Sequence, residues 1–183
     1  MPIDEELRRR LLAKSPRHLA ALDAAAQNAG WGKPLPEGRF RGIALVSSYD
    51  GYVALVTEIS VNRKERTLRA HRVVCALDCG RIVNPSSIDA QARSCIVYGL
   101  TAALHSAITI DRGRVQQNNF NDYKMLRFDE MPDVEVHIIP SDLPPTGAGE
   151  FVVPPVAPAL CNAIFAATGR RVRRLPIQAE DLA

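Results

Sequence analysis

The sequence predicts an α+β fold: a mainly antiparallel sheet with two principal helices packed on it and a helical N-terminal segment. Three observations carry this. Between residues 41 and 78, three runs rich in Val, Ile, Leu and Ala follow one another with turn residues between them, as in an antiparallel meander. Two longer runs, after Pro85 and after Pro155, repeat small and apolar residues at helical spacing, the second behind prolines suited to a first helical turn. The alternating run from Val134 to Pro140 supplies a further strand.

In chain order, Ile3 to Asn28 reads as helical. Leu7, Leu11 and Leu12 recur at helical spacing, Ser15-Pro16 interrupts, and His18 to Gln27 is alanine-rich. This helical start is expected to brace one edge of the sheet. Gly30 to Gly38 is a loop by its glycine and proline content. Arg41 to Ser48 and Tyr52 to Val61 are strands joined at Tyr49-Asp50-Gly51, a hairpin signal, and Leu68 to Asp78 follows a charged turn at Arg63 to Arg66. Cys79 to Pro85 is a loop, shaped by Asp78 and Asn84. A helix then runs from Ser86 or Ser87 as cap to about Ile108. Asp111-Arg-Gly113 is a turn, and Val115 to Met125 is too polar for a core strand. The last elements are a helix over Val156 to Thr168, stopped by Gly169, and a short strand over Val172 to Ile177. The expected core is Ile43, Leu45, Val53, Leu55, Val73, Ile96, Leu100, Leu104, Val136, Ile138, Leu160 and Ile164. No repeat or linker divides the chain, so residues 1–183 read as one module, with 1–38 a helical lead-in and loop and 39–183 the α+β body.

Composition excludes several classes. With 46% hydrophobic and 23% charged residues, the chain matches an ordinary globular protein. A net charge of +3, without aromatics interleaved among the short arginine clusters, argues against nucleic acid as a partner. No leader and no apolar run of membrane-spanning length is present. Cys75, Cys79, Cys95 and Cys161 complete no zinc or iron–sulfur set and read as buried free thiols. His18, His71, His105 and His137 lack any neighbour at ligand spacing, so no metal ligand is expected from the protein.

The stretch Pro144 to Pro155 holds one carboxylate, Glu150, behind Gly147 and Gly149 and ahead of a proline-started helix. Glycines allow a sharp turn and close approach of the backbone to a bulky group. Glu150 is therefore a candidate general base, with an ordinary first-turn carboxylate as the alternative. Other motifs stand in one order with it: Gly42-Ile-Ala, Asp78 to Pro85, Gln91 followed by Ile96 to Leu100, Asn119 to Tyr123, Gly147-Ala-Gly-Glu150 and Pro155 to Leu160. This order resembles the C-terminal part of the molybdenum-binding large subunit of the xanthine oxidase family, in its isoquinoline 1-oxidoreductase β-subunit branch. The resemblance implies oxidation of an aldehyde or an N-heteroaromatic ring carbon, with water as the oxygen source and Glu150 as the base. It also implies that Gln91 and the backbone at Ala148 and Gly149 contact the cofactor. That cofactor is molybdopterin with molybdenum, expected in its cytosine dinucleotide form and shared with a partner chain. The expected partners are the remaining molybdenum domains and a small [2Fe–2S] subunit, which alone carries iron–sulfur clusters. The expected compartment is the cytoplasm, or the periplasm if the chain is exported with a partner.

The sequence departs from that family in places. Arg93, Ser94 and Cys95 stand where the family has Glu-Gly-Gly after the glutamine, and Phe151-Val152 where it has Pro-Gly. Ser94 and Cys95, in place of glycines, threaten close approach, and the second pair is expected to put apolar bulk beside Glu150 and desolvate it. Two readings stay open: a catalytic module that works only with the missing molybdenum domains, and a non-catalytic remnant or assembly module that keeps the fold without cofactor.

Overall fold

A computed structural model describes residues 5–183. Its helices are α1 (Glu5–Leu11), α2 (Pro16–Asn28), α3 (Pro85–Leu104) and α4 (Val156–Thr168). Its strands are β1 (Phe40–Ser48), β2 (Gly51–Asn62), β3 (Thr67–Asp78), the short pair β4 (Ile110–Asp111) and β5 (Arg114–Val115), and β6 (Asp133–Ile138). Ile3, at the start of the expected helical run, lies outside the described residues.

The main sheet has the order β1-β2-β3-β6. The first three strands form the expected antiparallel meander, and β6 joins parallel to β3. In β2 and β3 side chains alternate between two buried faces. Val53, Leu55, Val73, Cys75 and Leu77 pack with Ile96 and Leu100 of α3 and Leu160 and Ile164 of α4. Ala54, Val56, Val74 and Ala76 pack with Ala21, Leu22, Ala25 and Ala26 of α2. Burial on both faces is why these strands read as continuous apolar runs. It also corrects the expected role of α2, which covers the second face across β1, β2 and β3 instead of bracing an edge.

Local chemistry sets the helix ends. Asn84, not Ser86 or Ser87, caps α3: its side-chain oxygen accepts from the Ser86 N–H at 3.1 Å, with Pro85 in the first turn where no donor is needed. The helix stops at Leu104 instead of Ile108, with the His105 and Ser106 N–H groups both returning to the Thr101 carbonyl. Gly169 closes α4 in the left-handed conformation at φ 76°. Of the expected core, Leu45, Leu104, Val136 and Ile138 are only partly buried, the last two because β6 is an edge strand. The expected strand at Val172–Ile177 does not form. Pro176 has no N–H, and the Ile177 N–H donates to the Ala103 carbonyl at the end of α3, not to a strand.

Two glycines let helices sit close. A methyl group on Gly42 of β1 would stand 2.2 Å from the backbone nitrogen of Ala163, and one on Gly99 of α3 would stand 2.6 Å from Val156 Cβ. These contacts fix α4, and with it the loop that leads into α4. Among the described residues no helix is long and apolar enough to cross a membrane.

Candidate active-site cleft

The loop between β6 and α4 is fastened at three places. Its first fastening is to the turn after β3. The Arg81 N–H donates to the Leu143 carbonyl and the Thr146 N–H to the Cys79 carbonyl, each at 2.9 Å. Gly80, at φ 76°, leaves room for the Pro144 carbonyl, which a methyl group would meet at 2.2 Å. Asp78 organises that turn. It is buried, accepts from the Gly80 N–H at 3.0 Å, and takes Nε and Nη2 of Arg17 at 2.7 and 2.9 Å. The Arg17 guanidinium, stacked over Tyr52, holds the Asp78 carboxyl below the usual carboxylate range.

The second fastening is Cys95 of α3, whose thiol donates to the Gly149 carbonyl at 3.2 Å. Burial and the neighbouring Glu150 carboxylate push this thiol up from its ordinary value. The third is the apolar turn after Glu150. The Val153 N–H returns to the Glu150 carbonyl, and Phe151 and Val152 are 1% and 0% exposed. The Phe151 ring packs under Gly51, 3.0 Å from where a methyl group there would stand.

This turn corrects one expectation. Phe151 and Val152 are buried in the core, and Glu150 itself is exposed, so their bulk does not desolvate the carboxylate. Apolar neighbours, Phe151, Val153 and Pro154, border a cavity on one side of the base without enclosing it. Glu150 lies instead in a cleft of about 500 Å³ lined by Tyr49, Gly147, Gly149, Glu150 and Phe151. The Tyr49 hydroxyl donates to Glu150 Oε1 at 3.2 Å.

The chain bends at Gly149 and Glu150, and neither Gly147 nor Gly149 holds a positive φ. A methyl group on Gly149 would meet nothing within 4 Å, and one on Gly147 only Tyr49 Cβ at 3.9 Å. Both face open space. Among the described residues the N–H groups of Ala148 and Gly149 find no acceptor. Two bare glycines and two free amide donors beside a carboxylate suit a polar group approaching from outside the chain. Ala148 contributes backbone only, its methyl packed toward the core.

Gln91 does not line the cleft. It is exposed on α3, one turn before Cys95, so it lies on the side of the helix where Cys95 meets the glycine loop. Tyr123 bonds Ser106 and Asp122 caps its own turn, so both have structural roles away from Glu150. Sequence reasoning took Tyr49 only as part of a hairpin. The signal available was an aromatic residue where turn chemistry favours asparagine or glycine. Among the described residues no three His, Cys, Asp or Glu side chains converge as metal ligands.

Comparison with known proteins gives the family. A family profile described as a molybdopterin cofactor-binding domain matches residues 23–132, a span that includes Gln91 and ends before Glu150. The chain is 33% identical over 180 residues to the beta chain of isoquinoline 1-oxidoreductase from Brevundimonas diminuta, covering 97% of this chain and 23% of that one. It is 32% identical over 183 residues to a nicotinate dehydrogenase subunit of Pseudomonas putida, covering 90% of this chain and 15% of that one. The solved quinoline 2-oxidoreductase of Pseudomonas putida superposes with a TM-score of 0.66 at 18% identity, over 72% of this chain and 18% of that one, a likeness of fold. The chain thus spans less than a quarter of the length of these relatives.

Proposed function

The chain belongs to the molybdopterin cofactor-binding domain family, and from that premise we propose that it forms one wall of the active site of a molybdenum hydroxylase, with Glu150 as the general base. The observation that carries this reading is the cleft itself: an exposed carboxylate beside two glycines and two unpaired backbone donors, all open to the outside. When bound, molybdopterin supplies the two-electron redox chemistry for hydroxylating an electron-poor carbon.

This chain's residues then divide the remaining work. The Ala148 and Gly149 N–H groups offer donors to the cofactor's oxygens. The Gln91 amide, able to donate and accept at once, holds a second edge of it. Glu150 takes a proton at Oε2, since Oε1 is engaged by Tyr49. Enclosure by the other walls excludes water from the carboxylate, which this chain leaves exposed.

Those walls, in this reading, are the remaining molybdenum domains, because the relatives carry more than three quarters of their length outside the matched part. The substrate is an aldehyde or an N-heteroaromatic ring, the cofactor the cytosine dinucleotide form, and a small [2Fe–2S] subunit takes the electrons. Without these partners the chain does not turn over substrate.

The test is co-expression with the gene product supplying the missing domains. The complex is expected to contain molybdenum and pterin, and the chain alone neither. Glu150→Gln then lowers kcat by about 10²-fold or more with metal content unchanged. Full activity in Glu150→Gln refutes the base, and a complex without metal leaves the non-catalytic module as the function.

A further inference from the structure

Tyr49 and Asp50 form the two-residue tip of the β1–β2 hairpin, between the paired Ser48 and Gly51. Both hold left-handed backbone, at φ 51° and 57°. Such a tip favours Asn-Gly, and a bulky aromatic side chain is disfavoured there. The neighbouring glycine does not relieve the conformation, because Gly51 lies outside the tip, against the Phe151 ring. Packing does not hold the tyrosine either, since it is 67% exposed.

What the side chain does is reach a residue 101 positions away: its hydroxyl donates to Glu150 Oε1. Tyr49 and Glu150 together line both the 500 Å³ cleft and an adjoining cavity of about 280 Å³. Among the described residues Glu150 Oε2 has no hydrogen-bond partner. We infer that Tyr49 is a positioning residue for Glu150, and that the disfavoured tip is kept because it holds the phenol where it fixes the carboxylate. A glutamate has three side-chain torsions to restrain, and one oxygen tied down leaves the other aimed into the cleft.

This inference rests on Glu150 being the base, and the experiment separates the two. In the full chain labelled with ¹³C at glutamate Cδ, the Glu150 resonance, assigned with Glu150→Gln, is expected to move on Tyr49→Phe at constant pH. It should not move on Tyr98→Phe, a control on the exposed face of α3. In the assembled enzyme Tyr49→Phe is expected to lower kcat about tenfold with KM unchanged. Tyr49→Asn, which suits the left-handed position, should raise the thermal midpoint while lowering kcat by a similar factor. A purely structural tyrosine would not separate stability from turnover in that way. An unmoved resonance, or unchanged kcat in Tyr49→Phe, overturns the inference. Unchanged kcat in Glu150→Gln overturns the base instead.

Discussion

Substituting alanine at Gly42 and at Gly149 should have opposite effects on stability, and the structure gives both magnitudes. A methyl group on Gly42 would stand 2.2 Å from Ala163 N, 2.3 Å from the Ala159 carbonyl oxygen and 2.7 Å from the Asn162 carbonyl carbon. Ordinary contacts begin near 3.5 Å, so β1 and α4 must part by about 1 Å. All three atoms are backbone, and no side-chain rotation can clear them. Parting also breaks the bond from Asn162 Nδ2 to the Ile43 carbonyl, 2.9 Å long. Overpacking at the upper end of its range of about 1–3 kcal/mol, plus about 1 kcal/mol for that bond, gives a loss of roughly 3–4 kcal/mol. With a urea m-value of about 2 kcal/mol per M, the midpoint of Gly42→Ala falls by about 1.5–2 M. At Gly149 nothing stands within 4 Å and φ is not left-handed. Alanine there reduces only the freedom of the unfolded chain and raises stability by about 0.4–1 kcal/mol. Urea titration followed by the fluorescence of Trp31, the single tryptophan, packed against the α2 side of the core, reads both. If Gly149→Ala nevertheless loses molybdenum in the assembled complex, that glycine serves the approach of the cofactor and not the fold. A Gly42→Ala midpoint within about 0.5 M of wild type, or a Gly149→Ala midpoint as low as that of Gly42→Ala, would refute the close-packing account.

The Arg17–Asp78 pair and the thiols give two further expectations. The Asp78 carboxyl is depressed first by the hydrogen-bonded Arg17 guanidinium, so its folded value lies below the unfolded value of about 3.9. Its stabilisation is whole above that unfolded value and is lost as pH falls through the folded one. Asp78→Asn should therefore be less stable than wild type at pH 7, with the two stability curves converging below about pH 4; parallel curves would contradict the linkage. Of the four free cysteines, burial pushes Cys161 up to about 11 and Cys75 further still. A disulfide reagent at pH 7.5 should react slowly with the folded chain and release four equivalents on denaturation, and one fast equivalent in the folded state would contradict this.

How much of this was legible follows from which interactions are local. The strands from Phe40 to Asp78 and the α4 helix with its Gly169 stop depend on nearest-neighbour chemistry and appear in the sequence almost residue for residue. The placement of α2 was not legible, because Ala21, Ala25 and Ala26 form a small, weakly apolar face that gives no sign of covering a sheet. The hairpin register was hidden for a different reason. Gly51 looks like the turn glycine, but it belongs to β2, paired with Ser48, where a methyl group would press on the Phe151 ring, one hundred residues later in the chain. The same long-range contact turned the expected apolar wall of Glu150 into buried core. The motif was readable and its environment was not.

The departures around Gln91 and Glu150 weigh differently once their side chains are placed. Arg93 donates through Nε and Nη2 to Asp89, and through Nη1 to the Val134 carbonyl at 2.6 Å, so it ties α3 to the edge strand β6. Cys95 is buried against the Gly149 carbonyl, and Phe151 and Val152 fill the core beneath the cleft. Arg93, Cys95, Phe151 and Val152 are thus each used within the fold. Ser94 is exposed without such a role. On the outer side, where a cofactor would have to approach, the residues are Gly147, Gly149, Glu150 and the exposed Gln91, and of the departures only the small Ser94 is exposed. Substitutions that had abandoned the cleft would be expected to fill it; these tighten its floor, which supports the catalytic reading over the non-catalytic one.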